Sequence, residues 1–241
     1  MQTASKVILG VALVLLIGSG AVSDAQAQDS RYGIGIYGAV MQPLGVLKDW
    51  YNTSPEFIGQ LTYVVSARTL TEVEFHYTML SDSGLGDRTF TWYNGLGAAN
   101  GKKVRSPSAK ADMYMASLLV NGLRTFKDDE VGRGIPYIAA GIGFYRYKHD
   151  VEGLIWPGQV GTAIKTDTQS MLEATTDQDA ALSINAGLGM HYRTSETFMV
   201  DFRLRWNVSM GELRPYEDWD LKKTFPIQSL NFMVGIKYFL Q

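Results

Sequence analysis

The sequence predicts an all-β fold, an eight-stranded antiparallel up-and-down transmembrane β-barrel that is preceded by a cleaved signal peptide. Three observations support this prediction. The chain begins with an apolar segment typical of a secretory signal, eight later segments alternate between apolar and polar residues, and long and short connections take turns between them. The composition agrees, because 25 Gly and 13 Tyr among 241 residues favour strands and turns over helices.

The N-terminal segment has the three parts of a secretory signal peptide. Lys6 supplies the positive charge, residues 7–17 are apolar, and Ala25-Gln26-Ala27 fits the small-x-small pattern that signal peptidase cleaves. The apolar part is too short to span a bilayer, which takes about 20 helical residues. We therefore expect residues 1–27 to be a signal peptide and residues 28–241 to form one outer-membrane β-barrel domain.

The composition also excludes several classes of function. A net charge of −2 leaves no basic field for nucleic acid, so we expect no nucleic-acid partner. The absence of cysteine excludes disulfides, thiolate zinc sites and cysteine nucleophiles. Residues 33–38 match the dinucleotide motif G-x-G-x-x-G, but they alternate as a strand and no helix opens on them. We expect no cofactor and no metal.

The alternating segments predict eight strands, each long enough to cross a membrane at a tilt. Residues 182–190 show the pattern clearly, since Leu182, Ile184 and Leu188 alternate with small or polar residues. The fourth segment has the least defined register, because residues 113–120 are nearly all apolar. The predicted strands cover residues 31–41, 56–66, 71–79, 112–126, 135–147, 180–192, 197–207 and 227–240.

The connections between these segments alternate in length. Loops above about 12–15 residues are uncommon in compact domains, yet a long connection recurs at every second position. This alternation predicts that all the long loops share one end of the barrel, and that both termini lie at the other end. The long connections are residues 42–55, 80–111, 148–179 and 208–226, and the short ones are 67–70, 127–134 and 193–196.

The residues opposite the apolar set indicate which face meets lipid. Glycine on a solvent-covered strand face weakens the strand, whereas in a narrow lumen it leaves room for large neighbours. We therefore expect the apolar set, with its aromatic ends, to contact lipid, and the opposite set to fill the lumen. A soluble lipid carrier of the same strand number remains the alternative. The opposite set includes Gly33, Gly35, Gly141, Gly143, Gly187, Gly189 and six charged residues.

Two motifs extend the argument to a family. Residues 136–143 are similar to the Pro-Tyr-x-x-x-Gly-x-Gly strand, and Gly235, Tyr238 and Leu240 stand at the spaced positions of a terminal-strand assembly signal. The chain thus resembles the eight-stranded outer-membrane barrels, namely the OmpA-type transmembrane domain, OmpX and opacity-type porin-family proteins. It departs from them at Met233, where a polar residue is common, and at Gln241, which follows the position where the family usually ends on an aromatic residue. The resemblance implies a location in the bacterial outer membrane, with outer-membrane lipids and the assembly machinery as partners.

A group of charged residues on the predicted lumen face is the main candidate site. Buried charges must be paired or hydrated, so a fully paired network would plug the lumen. An incompletely paired network would instead line a narrow path for water and small ions. The expected lumen charge network consists of Glu72, Glu74, Asp201, Arg203, Arg205 and Lys237.

The long loops and the three histidines supply further candidates. Exposed loop aromatics suit recognition of an extracellular ligand, although they could equally pack over the barrel mouth. A lipid-modifying enzyme of this size would need a histidine, a serine and an acid at the lipid boundary. We expect His76 and His191 on the lumen face and His149 in a long loop, which does not favour such an enzyme. The loop recognition candidates are Trp92, Tyr93, Trp156 and Trp219.

The leading hypothesis from the sequence is a non-enzymatic outer-membrane β-barrel with a structural or surface-interaction role. It has at most a narrow ion or water path through its charged lumen. The alternatives are a small-solute porin, a lipid-modifying enzyme and a soluble lipid carrier.

Overall fold

The computed structural model describes residues 32–93, 99–128, 130–159, 165 and 168–240, so the expected signal peptide lies outside the described residues. Eight strands form one closed antiparallel barrel in the order β1-β10-β9-β8-β7-β6-β3-β2, and β4 pairs only with β5. A short helix, α1 (Leu47–Trp50), follows β1. The strands are β1 (Tyr32–Pro43), β2 (Ser54–Ser66), β3 (Thr69–Ser81), β4 (Thr89–Tyr93), β5 (Ala99–Arg105), β6 (Lys110–Thr125), β7 (Gly134–Glu152), β8 (Thr175–Arg193), β9 (Phe198–Ser209) and β10 (Ile227–Phe239).

All eight predicted strands are present, and the predicted barrel is confirmed. The main differences lie at the long-loop end, where β7 continues to Glu152 and β8 starts at Thr175. These extensions pair with each other, with Val151 opposite Thr175. The sequence prediction missed them because their outward side chains are polar and do not continue the alternation of apolar and polar residues. The β4–β5 hairpin was also missed, within a connection expected to be a polar loop. Within the described residues, no helix is long and apolar enough to cross a membrane.

The register of the strands fixes the width and tilt of the barrel. Following paired residues once around the barrel from Gln42 leads back to β1 at Tyr32, ten residues away along the same strand. With eight strands, this stagger tilts the strands by about 40° from the barrel axis. A barrel of this size has an interior just wide enough for side chains, so side chains rather than a channel are expected to fill it.

Side chains alternate between an apolar outer surface and a buried lumen along every barrel strand, which confirms the predicted faces. Large apolar residues are exposed on the outside, including Ile36 at 66% and Phe57 at 67%. Such a continuous apolar exterior on a closed barrel is suited to lipid and not to water. Aromatic residues ring its short-turn end, as interfacial girdles do; they are Tyr32, Tyr63, Phe126, Tyr192, Phe198 and Tyr238.

The barrel wall is uneven in height at the long-loop end. β7 and β8 each have 19 residues, whereas β1 and β9 each have 12. The pairing of β8 with β9 begins only at Ser183 and Ser209, so the part of β8 before Ser183 is paired with β7 alone among the barrel strands. The β6–β8 side of the barrel therefore projects beyond the apolar exterior.

Candidate functional site

The lumen contains a buried ion network, which we define as Glu56, Glu72, Glu74, His76, Asp201, Arg203, Arg205 and Lys237. All six charged residues expected from the sequence are in it, and each is at most 3% exposed. β2, β3, β9 and β10 supply its members, so the network crosses the lumen between opposite walls. Its charges can be held in a membrane barrel only because they face one another and not lipid.

Arg203 lies at the centre of the lumen network. Its Nη1 is 2.7 Å from Glu74 Oε1, and its Nη2 is 2.8 Å from Asp201 Oδ2 and 2.9 Å from Glu72 Oε2. Its Nε donates to the hydroxyl of Tyr137 at 2.6 Å. One guanidinium thus contacts three carboxylates, and its planar fork of donors makes arginine suited to that task.

Lys237 closes the short-turn side of the network. Its Nζ lies 2.5 Å from Glu72 Oε1, 3.2 Å from Asp201 Oδ2 and 3.2 Å from His191 Nε2. Glu72, His191 and Asp201 bring their ligand atoms within 4.8 Å of one another, a spacing that could also hold a metal ion. The Lys237 ammonium contacts all three and supplies the positive charge that these groups need.

His76 and Arg205 connect the network toward the long-loop end. His76 places Nδ1 3.1 Å from Glu56 Oε1 and Nε2 2.8 Å from Glu74 Oε2. Arg205 donates from Nη2 to Glu74 Oε1 at 2.8 Å and from Nη1 to the other oxygen of Glu74. With His76 as an imidazolium, four cations face four carboxylates, and the network is balanced.

Above the network, all four long connections fold inward and cover the lumen with an apolar cluster, the loop cap. Its side chains are almost fully buried, with Leu47, Leu213 and Leu221 at 0% exposure. The residues contributed by the connections are Leu47, Trp50, Tyr51, Leu85, Phe90, Leu154, Ile155, Leu213, Trp219 and Leu221. The lumen is therefore closed twice, by ion pairs in the middle and by apolar packing at the mouth.

Three tryptophans tie the long connections together. The indole N–H of Trp50 donates to the backbone oxygen of Lys222 at 3.3 Å, and that of Trp219 donates to Ser106 Oγ at 3.2 Å. Trp92 in β4 donates to the backbone oxygen of Gln159 at 3.3 Å. Each bond joins two different connections, so the loop cap is cross-linked.

This arrangement corrects the expectation for two of the four loop recognition candidates. Trp92 is 4% exposed and Trp219 is 3% exposed, because both pack inside the cap and do not reach the surface. Trp156 is 54% exposed and stays available on the outside. Tyr93 ends β4, and its side chain lies outside what the structure describes.

All three histidines are described, and all three point inward. His76 and His191 lie in the lumen as expected, each 1% exposed. His149 was expected in a loop but belongs to β7, because the alternation of that strand continues above the apolar exterior. It is 1% exposed beneath the loop cap, where its Nδ1 is hydrogen bonded to the hydroxyl of Tyr51. No histidine therefore lies at the lipid boundary, where a lipid-modifying site would need one.

Of the residues expected to form the assembly signal, Gly235 and Tyr238 lie in β10, which closes the barrel against β1, and Leu240 directly follows this strand. Tyr238 and Leu240 are 38% and 47% exposed on the outer surface. Gly235 faces inward against the ring of Tyr37, and a β-carbon at this position would overlap Cγ and Cδ1 of that ring. Gly235 thus has a packing role that is visible in the structure, whatever its part in assembly.

Comparisons with known proteins agree with this architecture. No family model matches the sequence, and no curated protein matches it. The structure is similar to that of Neisserial surface protein A, with a TM-score of 0.51 and 12% identity over 87% of this chain and 97% of that one. This chain has the fold of an eight-stranded outer-membrane β-barrel. The bacterial outer-membrane location expected from the sequence agrees with that fold.

Two further outer-membrane proteins match less closely. A major outer membrane protein from Thermus thermophilus matches with a TM-score of 0.48 and 12% identity over 87% of this chain and 99% of that one. The outer membrane protease OmpT from Escherichia coli matches with a TM-score of 0.41 and 9% identity over 90% of this chain and 99% of that one. Since one fold can host different activities, function must be argued from the site.

Proposed function

We propose that this protein is a closed, non-enzymatic outer-membrane barrel whose role is structural or in surface interaction. The observation that carries the proposal is the double closure of the lumen. The ion network pairs its buried charges across the middle, and the loop cap packs apolar side chains over the mouth. Water and small ions have at most a narrow path between these groups, and a solute-sized pore does not fit this packing.

The position of the histidines supports the non-enzymatic part of the proposal. Each one is enclosed by lumen or cap residues, so none can act with a serine and an acid on a lipid at the outer surface. The outer surface at the long-loop end is then the part of the protein that other molecules can reach.

Planar-bilayer conductance of the refolded mature barrel tests this proposal. Folding is verified first by the different gel migration of unboiled and boiled samples. We expect the barrel to show no conductance, or only small currents carried by hydrated monovalent ions. Discrete, reproducible openings that admit small hydrophilic solutes would instead establish the small-solute porin and refute the closed barrel.

A further inference from the structure

The projecting part of β8, residues 175–181, has a free edge within the described part of the chain. Its other edge is fully paired with β7, from Thr175 opposite Val151 to Ala181 opposite Tyr145. On the free side, β9 begins to pair only at Ser183. A free edge of seven residues is about 20 Å long, as long as a typical strand.

The edge is free because the chain turns inward after β9. Met210 N donates to Leu182 O at 2.8 Å, which is the last backbone bond between the two segments. A β-carbon on Gly211 would lie 2.7 Å from the ring of Tyr147, so only glycine lets the chain pass this close. The Tyr147 hydroxyl then donates to the backbone oxygen of Glu212 at 2.9 Å, which directs the segment into the cap.

The bond at Leu182 also identifies which backbone groups point to the free side. In an antiparallel strand, every second residue directs both its N–H and its C=O to the same edge. Thr176, Gln178 and Ala180 therefore direct theirs outward, and all three residues are exposed. The described residues offer these groups no backbone partner; the N–H of Ala180 is bonded at 2.7 Å to the side chain of Asp179.

The charges beside this edge indicate what would bind there. Asp177 and Asp179 project from the inward face of the segment, and Asp179 is exposed. Arg214 Nη2 lies 3.2 Å from Asp177 Oδ1, which shows that a cation is accommodated at this position. A strand added to the edge would place alternate side chains next to these two carboxylates, where opposite charges are favourable.

We propose that the free edge of β8 binds an extended segment of another protein as an additional strand, with Lys or Arg at alternate positions facing Asp177 and Asp179. Backbone bonds to Thr176, Gln178 and Ala180 hold the segment, and the alternate cations select it. A cation that pairs with Asp179 also draws this carboxylate away from the Ala180 N–H, which frees that donor for the added strand. This inference names the partner class for the surface role proposed above.

Gln178→Pro is the sharpest test, because this substitution removes an N–H that the barrel does not use. The control is Gln178→Ala, which keeps the N–H. The probe is a fluorescent seven-residue peptide that alternates Lys with Thr or Val, compared with the same peptide carrying Glu for Lys. Binding to the refolded barrel in detergent is followed by anisotropy up to millimolar concentration, together with amide exchange at Thr176, Gln178 and Ala180.

We expect the Lys peptide to bind the wild type and the Gln178→Ala variant equally, and to slow exchange at the three amides. Binding should weaken at least tenfold in Gln178→Pro and in Asp177→Asn/Asp179→Asn, and the Glu peptide should not bind. Equal binding to the proline and alanine variants, no binding at all, or pairing between two copies of the barrel would overturn the proposal. Conductance measured on the same preparation distinguishes failure of this proposal from failure of the closed-barrel proposal. A barrel that conducts and still binds the peptide would refute only the closed lumen.

Discussion

Tyr137 lies directly opposite Gly189 in the β7–β8 ladder, and its Cζ and hydroxyl oxygen occupy the space in which a β-carbon on Gly189 would lie. From there its hydroxyl donates to Asp201 Oδ1 at 2.6 Å. Tyr37 lies opposite Gly235 in the same way, and its hydroxyl donates to Asp201 Oδ2 at 2.7 Å. Two tyrosine–glycine pairs thus hold one carboxylate of the lumen network from both sides.

This pairing predicts that Gly189→Ala destabilises the barrel. The new methyl group would displace the ring of Tyr137 and, with it, the bond to Asp201, at a cost of about 1–3 kcal/mol. The matched control is Gly38→Ala, because a β-carbon on Gly38 meets no atom within 4 Å. The measurement is urea unfolding in detergent, read from the gel shift between folded and unfolded forms. Equal midpoints for the two variants would contradict the packing role of Gly189.

Arg203→Ala removes the guanidinium that contacts three carboxylates and leaves those charges buried without their partner. We expect the free energy of unfolding to fall by about 3–5 kcal/mol, as for other broken buried ion pairs. Where the variant still folds, its conductance should rise as water enters the lumen. Arg68→Ala is the control, since Arg68 pairs with Asp128 on the exposed short-turn end. Unchanged heat stability and conductance in Arg203→Ala would rule out the network as the lumen plug.

Burial beneath the cap lowers the pKa of His149 from 6.5 to about 4, although Asp177 and Asp150 nearby act in the opposite direction. The unfolded chain therefore takes up this proton at a higher pH than the folded barrel does. Stability should be lost as the pH falls from about 6.5 to about 4, by up to roughly 3 kcal/mol from this group. Protonation would also make both ring nitrogens donors, so Nδ1 could then only donate to the Tyr51 hydroxyl.

The comparison with His149→Gln isolates this effect, because His76 and His191 are the same in both proteins. We expect the wild type to lose more stability than the variant over this pH range. Protease cleavage in the long connections should increase in the wild type at the same pH at which stability falls. Identical pH profiles for the two proteins would show that His149 does not couple the cap to pH.

Trp219→Phe keeps the aromatic ring in the cap and removes the N–H that donates to Ser106. The Ser106 hydroxyl still accepts a hydrogen bond from the Ile155 N–H at 3.1 Å. Losing the bond to the indole should therefore cost about 1 kcal/mol and make the long connections more sensitive to protease. Trp156→Phe changes an exposed indole and serves as the control. If both variants resist protease as well as the wild type does, the loop cap does not depend on the hydrogen bond between Trp219 and Ser106.

The sequence was sufficient for the strands and their faces, because lipid on one side and a narrow lumen on the other impose strict alternation. All six charged residues that it selected for the lumen network are among those that the structure brings together there. It could not identify their partners, since Glu56, Tyr37 and Tyr137 join the network through the strand register. Register depends on pairing between distant strands, and alternation alone does not define it.

The loop cap was harder to predict for a different reason. Its residues are scattered through polar and glycine-rich connections with no period, so Trp92 and Trp219 gave the same signal as the exposed Trp156. The upper parts of β7 and β8 were missed because strand prediction relied on the apolar exterior, which ends below Lys148. Above that point the outward positions are polar, and only the inward residues His149 and Val151 continue the buried face.

The placement of Glu74 on β3 and Arg203 on β9 has a consequence for how the barrel forms. These strands lie on opposite walls, so no partly assembled sheet of neighbouring strands brings the two charges together. Until β10 meets β1, both side chains must stay hydrated, and their desolvation is offset only when the seam closes. Ring closure and charge pairing should therefore occur in one cooperative step late in folding, and an unclosed sheet gains nothing from the network that stabilises the finished barrel.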